Sequence, residues 1–375
     1  MIPNKLPVRL RSHRRFYMKV GTLTFPGSPS HGASLQMYAL YSALTALGAE
    51  AEVINYAPDS LVHKRNNTRG IKDHIASIFL KDSRKAFKKF ENQITISPKK
   101  EIKTTDELKA YTQDLDRIIV GSDQVWNPVV TGNDMNFYLE FCENAEKKAS
   151  YAPSFGVDRV AQSDAEKISA LLSDITYLSA REERGSEIIQ ELTDRSVPIV
   201  LDPTFLIDGD EWRKLKKPSG AKGDYVFVYT IKPSPSLRQA AKRFAEKHGY
   251  KLVYISGGLH GVLDKFNPKK HPVFGVGPAE FIDLIDRAKY VFTNSFHGAA
   301  FSIILNKPFF VEFSSDTNSR LITLMRKFEL DDCIIDCQTF DYSLPATDYN
   351  NANRILADKR KESLSYLKGI ISVYE

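Results

Sequence analysis

Four short segments of this chain combine residue types that can bind anions and move protons. The most concentrated is Thr293-Asn294-Ser295-Phe296-His297-Gly298, where a predicted strand over 290–293 runs into an apolar helix-forming stretch. A histidine at the positive end of a helix is held towards its neutral form, which suits proton transfer near pH 7. Asn294 and Ser295 beside it can bind a polar ligand, and Gly298 lets backbone N–H groups come close to an anion. The second segment, Gly121-Ser122-Asp123-Gln124-Val125-Trp126-Asn127, follows a predicted strand over 117–120. It offers a hydroxyl, a carboxylate, an amide and an indole; capping accounts for Asp123 alone but not for Trp126 and Asn127 beside it.

In the third segment, Ser179-Ala180-Arg181-Glu182, Arg181 falls where a strand hands over to a helix. A cation there opposes the helix dipole yet is well set to pair with an anion. An ion pair with Glu182 or Glu183 is the competing reading, and the plain one for Arg184. The fourth segment, Phe25 to Gly32, is rich in Gly, Ser and Pro and ends on His31-Gly32 at a predicted helix start. It is neither GxGxxG nor a P-loop, so its nucleotide signal is weak. Smaller candidates are Gly257, Gly258 and His260, and Arg320, which is a second cation for a doubly charged ligand unless Asp316 pairs with it.

All of these lie where strands end, so the strands set the geometry. Short apolar runs alternate with helical patterns, which predicts an α/β fold with mainly parallel strands. Strands are expected over 19–24, 51–56, 117–120, 148–151, 175–179 and 197–201 in the first half. A second set is expected over 224–231, 251–255, 290–293 and 308–312. The run Lys214 to Gly223 is a linker by its charge, Pro and Gly content. The expectation is two Rossmann-like domains in a GT-B-type arrangement with an interdomain cleft. Residues 1–17 form a basic disordered extension and 18–215 an N-terminal, acceptor-side domain with a basic insertion at about 57–116. Residues 224–350 form a C-terminal, donor-side domain, and 351–375 a helix that packs back on the first domain.

Composition narrows the classes. With 375 residues, 42% hydrophobic and 26% charged, the chain is an ordinary folded one, and no run reaches the ~18 apolar residues of a membrane span. Three cysteines (Cys142, Cys333 and Cys337) make no disulfide framework or zinc cluster and fit a reducing cytosol. Residues 1–19 carry six Lys/Arg and no acid, and residues 63–103 carry twelve against four acids, within a chain of net charge +6. The second block includes an amphipathic stretch over 71–90. It reads either as an insertion facing an anionic membrane or an acceptor, or as a plain solvated helix. Nucleic acid is an unsuitable partner, because no aromatic-interleaved platform accompanies the basic blocks.

The succession Gly121-Ser122-Asp123-Gln124-Val125-Trp126-Asn127, Ser150-Tyr151-Ala152-Pro153-Ser154-Phe155-Gly156, Ser179-Ala180-Arg181-Glu182, Leu201-Asp202-Pro203-Thr204 and Thr293 to Gly298 resembles the polysaccharide pyruvyl transferase family. His31-Gly32-Ala33 with Leu35-Gln36 resembles its amino-terminal signature. The resemblance implies a cytoplasmic GT-B-like enzyme, peripheral to the membrane at most, that moves the pyruvyl group of phosphoenolpyruvate onto a sugar or lipid-linked oligosaccharide of a surface or capsular polysaccharide precursor. The product is a ketal, and no cofactor or metal is required. His297, Asp123 and Arg181 are then the expected catalytic residues, with Arg181, Asn294, Ser295, Gly298 and Arg320 around the donor. His31, Gly32, Ser122, Trp126 and Asn127 are expected around the acceptor. Many family members carry Arg-Leu-His where this chain has Ser295-Phe296-His297. Two rivals stand: a GT-B glycosyltransferase whose nucleotide ribose is gripped by Glu312 or Asp316, and a non-catalytic glycan-binding member.

Overall fold

Parallel strands need a crossover between neighbours, and the alternation of apolar runs with helix-forming stretches supplies one after nearly every strand. The computed structural model describes residues 17–58, 61, 71–256, 271–313, 318–345 and 347–372. The basic extension at 1–16, the Gly257–His260 loop and Asp316 lie outside the described residues. Strands β1 (Lys19–Leu23), β2 (Glu50–Tyr56), β3 (Ile96–Ile102), β4 (Arg117–Val120) and β5 (Lys148–Ser150) form one parallel sheet in the order β3-β2-β1-β4-β5. Strands β6 (Tyr225–Tyr229), β7 (Lys251–Ile255), β8 (His271–Val273), β9 (Tyr290–Thr293) and β10 (Phe309–Val311) form a second in the order β10-β9-β6-β7-β8. Strand order reverses between β1 and β4 and between β6 and β9, the crevices where doubly wound sheets bind ligands.

The helices between them are α1 (His31–Ala46), α2 (Ile71–Glu91), α3 (Thr105–Tyr111), α4 (Pro128–Thr131), α5 (Gln162–Ser173), α6 (Glu183–Thr193) and α7 (Gly209–Leu215). In the second half they are α8 (Pro235–His248), α9 (Pro278–Arg287), α10 (Phe296–Ile304) and α11 (Asn318–Lys327), and α12 (Tyr349–Ile371) closes the described chain. The stretches at 175–179 and 197–201 are not strands. They make single bridges only, Ala149 to Tyr177 and Ala180 to Ile199, because Pro198 has no N–H to extend a ladder. The basic region at 57–116 contributes a strand of its own, β3.

The two sheets share one core. Leu35, Ala39 and Phe90 from the first half pack in the same cluster as Phe227, Phe281, Trp212 and Phe301. The His31 ring is enclosed there, 5.0 Å from Phe281 and 5.0 Å from Phe87, with Nε2 3.3 Å from the Val276 carbonyl. On α2, Phe87 and Phe90 are buried in this contact, and Ser83 donates to the Val276 carbonyl at 2.8 Å. This end of its apolar face is therefore turned into the protein rather than towards a membrane, while Lys81, Arg84, Lys85, Lys88 and Lys89 are exposed. No helix among the described residues is long and apolar enough to cross a membrane.

Helix α12 returns to the first sheet. Leu367 and Ile370 pack with Val20, Leu40 and Ile119. Ser363 accepts from the Leu201 N–H at 3.0 Å, and Arg360 Nε donates to the Phe205 carbonyl at 2.6 Å. This helix clamps the loop that carries Asp202.

Two stability predictions follow from the shared core. Trp212 is fully buried, donates to the Thr204 carbonyl at 2.9 Å and packs on Tyr38 and Phe301 from opposite halves. Trp212→Ala should cost about 3–5 kcal/mol in urea unfolding. Burial is the main cause that pushes the His31 pKa down to about 4, below its ordinary 6.5. Stability should therefore be full above pH ~6.5, fall as acid protonates the unfolded chain, and level off below pH ~4. His31→Gln should flatten that limb in urea titrations between pH 7 and 4.

Candidate functional site

The carboxyl ends of β4 and β9 and the loops at Ala180 and Asp202 converge at the boundary between the halves. After β4 the chain turns through Asp123 at φ 82°, a conformation that Asp tolerates better than most residues. The Asp123 Oδ1 accepts from the Gln124 N–H at 2.9 Å, and its carbonyl accepts from Ser154 N at 2.9 Å. This turn aims Ser122 inward and Gln124 outward.

Asp202 is the centre of the buried part. Its Oδ1 accepts from the Thr204 N–H at 3.0 Å and the Thr204 hydroxyl at 2.7 Å. Its Oδ2 accepts from Arg181 Nη1 at 2.8 Å and Ser122 Oγ at 3.0 Å, and stands 3.7 Å from His297 Nε2. Burial alone would raise the Asp202 carboxyl, but the His297 imidazole and the Arg181 guanidinium hold it well below the usual carboxylate range. Burial likewise opposes the charge on Arg181, and Asp202, Glu182 and Asp123 more than offset it, so Arg181 stays firmly protonated. The guanidinium also lies 4.7 Å over the Phe296 ring. Glu182, buried beside it, accepts from Ser154 Oγ at 2.6 Å through Oε1.

Helix α10 begins at the same point. Ser295 is its N-cap, with Oγ accepting from Gly298 N at 3.3 Å. His297 packs on α1 of the other half so closely that a Cβ on Gly32 would lie 2.0 Å from its Nδ1. Glycine is required there by close approach, and it fixes the imidazole plane. A Cβ on Gly298 would lie 2.3 Å from Thr293 Oγ1, so this glycine serves helix–strand packing.

Two cations come from α11. Arg320 and Lys327 line, with Arg181, Glu182, Asp202, Phe205 and Phe296, a narrow chamber of about 10 Å³, room for one water. Among the described residues no carboxylate pairs with either. Burial, then Arg181, lowers the Arg320 pKa, and burial, then Lys359, brings Lys327 down to about 8. Arg320 and Phe296 also wall a wider cleft of about 380 Å³ with Gln124, Asn127, Ile231 and Asn294. Turned with its oxygen outward, the Gln124 amide accepts from both terminal nitrogens of Arg320 at 3.2 Å.

Of the residues expected from sequence, Arg181, His297 and Ser122 meet around Asp202, Arg181 and Arg320 line the chamber, and Asn127, Asn294 and Arg320 line the cleft. Others lie elsewhere. His31 belongs to the aromatic contact between the halves, and Trp126 is 1% exposed, donating to the Phe137 carbonyl and stacked on Tyr138. Neither can touch an acceptor, because apolar packing encloses both rings. Gly32 supports His297, and Ser122 is spent on Asp202. Asn294 is tied to the Ile231 N–H and the Lys232 carbonyl at 3.0 Å each. Arg184 pairs with Glu187 and Glu191, the plain reading of that residue. Asp202, Glu182 and Lys327 were not singled out as site residues from sequence. Among the described residues no three His, Cys, Asp or Glu side chains converge on a metal site.

Two substitutions test this geometry. Gly32→Ala should cost about 1–3 kcal/mol through overpacking and shift the His297 imidazole resonances in NMR spectra. Asp202→Asn leaves Arg181 short of a buried partner and should cost about 3–5 kcal/mol at pH 7. The Asp202 carboxyl is depressed in the fold, so its contribution is complete above pH ~4. The difference between wild type and Asp202→Asn in urea titrations should therefore shrink only at more acid pH.

Comparison with known proteins agrees with this architecture. A structure of UDP-GlcNAc 2-epimerase from Methanocaldococcus jannaschii is 13% identical, with 91% of this chain and 99% of that one covered, at a TM-score of 0.51. UDP-GlcNAc 2-epimerase from Neisseria meningitidis bound to UDP-GlcNAc is 11% identical, with 95% of each chain covered and a TM-score of 0.48. ADP-heptose LPS heptosyltransferase II from E. coli is 13% identical over 94% of this chain and 98% of that one, with a TM-score of 0.38. The likeness to the first of these shows the fold alone, two Rossmann-like domains in the GT-B arrangement. No curated protein sequence matches the chain. The family model for polysaccharide pyruvyl transferase matches residues 31–311, a span that takes in Gly32, Arg181, Asp202 and His297, and the chain belongs to that family.

Proposed function

We propose that this protein transfers the pyruvyl group of phosphoenolpyruvate to two hydroxyls of a sugar in a polysaccharide precursor, forming a ketal and releasing phosphate. One observation carries the reading beyond family membership. Arg181 Nε and Nη2 are buried without hydrogen bonds, on the wall of a chamber that Arg320 and Lys327 also line, and His297 Nε2, likewise without one, faces Asp202 Oδ2 at 3.7 Å. Each unsatisfied buried group costs about 1–3 kcal/mol, a cost removed when a small anion supplies acceptors. Among the described residues that line the chamber, Arg181, Arg320 and Lys327 face Glu182 and Asp202, a set that suits a ligand bearing a phosphate and a carboxylate.

In this reading Arg181, Arg320 and Lys327 bind the two anionic groups of the donor. Arg320 supplies the second guanidinium that Ser295 lacks in place of the Arg-Leu-His pattern. His297 gives a proton to the methylene carbon, and the adjacent carbon becomes an oxocarbenium-like centre. A sugar hydroxyl entering by the cleft adds there and returns its proton to His297. The carbon–oxygen bond to phosphate then breaks, and a second hydroxyl closes the ketal. Asp123 keeps Oδ2 for orienting the sugar, next to Gln124 and Asn127. Chamber volume requires that α11 or Phe296 move outward to admit the donor.

A nucleotide-sugar transferase is the weaker reading. Of its two candidate ribose-gripping carboxylates, Glu312 is engaged by the Ser234 and Ser236 hydroxyls at 2.5 Å each, and Asp316 lies outside the described residues.

Phosphate release from phosphoenolpyruvate with a panel of methyl hexopyranosides tests the proposal. Lys327→Gln should raise the KM for phosphoenolpyruvate about 10–100-fold with a smaller change in kcat, and should melt within a few degrees of wild type. Release only from nucleotide sugars, or a KM unchanged by Lys327→Gln, would contradict it.

A further inference from the structure

The chamber contains a residue that anion binding does not explain. Glu182 is 3% exposed and lines the same wall as Arg181, Arg320 and Lys327. A site built only to hold an anion gains nothing from a second buried carboxylate, because like charge repels the ligand. Asp202 already takes Arg181 Nη1 at 2.8 Å in a hydrogen-bonded pair, so Glu182 is a second carboxylate beside a guanidinium that has one. Glu182 stands 3.5 Å from Arg181 Nε without a hydrogen bond.

The two Glu182 oxygens differ. Oε1 is held by the Ser154 hydroxyl at 2.6 Å, and Ser154 is itself fixed by its N–H to the Asp123 carbonyl. Oε2 is buried with no hydrogen-bond partner. One oxygen thus anchors the group, while the other stands 3.5 Å from Arg181 Nε and makes no hydrogen bond.

The chemistry leaves one proton transfer unassigned. Two protons leave the sugar hydroxyls, one is needed by the methylene carbon and one by the departing phosphate. His297 is not on the chamber wall, whereas Glu182 shares that wall with the cations that would hold the phosphate. We propose that Glu182 is the proton donor to the leaving phosphate. This rests on the pyruvyl-transfer reading above. The step takes Glu182 in its protonated form with the donor bound. Glu182 Oε2–H then gives its proton to the bridging oxygen as the bond between that oxygen and the pyruvyl carbon breaks. The electron pair of that bond leaves with phosphate as the protonated dianion, and Glu182 regains a proton from solvent. The hydroxyl protons leave through His297, one of them replacing the proton given to the methylene carbon.

Steady-state phosphate release with the methyl hexopyranoside panel, measured across pH, tests the assignment. Glu182→Gln should lower kcat about 100-fold or more, in the range of general-acid contributions, with the KM for phosphoenolpyruvate unchanged or lower. Its residual kcat should lose the fall at alkaline pH that the wild type shows. Glu182→Asp, which keeps the charge if Glu182→Gln fails to fold, should lower kcat about 10-fold or more and keep that fall. A Glu182→Gln enzyme with wild-type kcat and a raised KM, or a Glu182→Asp enzyme with wild-type kcat, would make Glu182 a counter-ion of Arg181 and overturn the assignment alone. A wild type that releases no phosphate from phosphoenolpyruvate would overturn the pyruvyl-transfer reading itself, and this inference with it.

Discussion

The buried carboxylate of Asp202 is the interaction on which the site depends. One oxygen is fixed by Thr204, and the other gathers Arg181, Ser122 and His297. A lone carboxylate in this position would be expelled or neutralised by burial. It is held because hydrogen-bond donors reach it from the β4 turn, from the Ala180 loop and from its own loop, while α10 brings the imidazole close. The same constraint explains why α12 returns to clamp residues 201–207, since a mobile Asp202 would release Arg181 and His297 together.

Around this anchor the charges are deliberately unbalanced. Arg181 satisfies Asp202 with one terminal nitrogen, while its Nε, 3.5 Å from Glu182 Oε2, and its Nη2 are buried without hydrogen bonds. Arg320 and Lys327 add positive charge from a helix of the other half, without carboxylate partners among the described residues. Buried donors without hydrogen bonds are rare in folded proteins, and those of Arg181 lie at a narrow chamber that shares Arg320 and Phe296 with a wider cleft. Stability is conceded at this point, and the core shared across the two sheets compensates for it elsewhere.

The positions of Arg181 and His297, each just after an apolar run, were legible in the sequence, because a polar residue there has few other reasons to be present, although only the run before His297 is a strand. The parallel α/β architecture was legible for the same reason, in the alternation of strand and helix patterns. Asp202 was less so. An aspartate before Pro203 and Thr204 reads as a cap, and it is one, through Oδ1; only the folded chain brings Arg181 and His297 to Oδ2. Lys327 was illegible because it enters from α11, nearly 150 residues beyond Arg181, with no local motif. His31 and Trp126 misled for the opposite reason: both have chemistry to offer, but aromatic neighbours from distant segments enclose them. The strands expected at 175–179 and 197–201 shrank to single bridges, which frees the loops that follow to turn Arg181 and Asp202 towards each other.

The most direct measurement is the thermal stability of the wild-type protein in the presence of phosphoenolpyruvate, UDP, CMP and GDP separately. The account predicts that phosphoenolpyruvate raises the melting temperature, in proportion to about 2.7 kcal/mol at a hundredfold excess over Kd, and that Lys327→Gln weakens this response. Stabilisation by a nucleotide and none by phosphoenolpyruvate would contradict it.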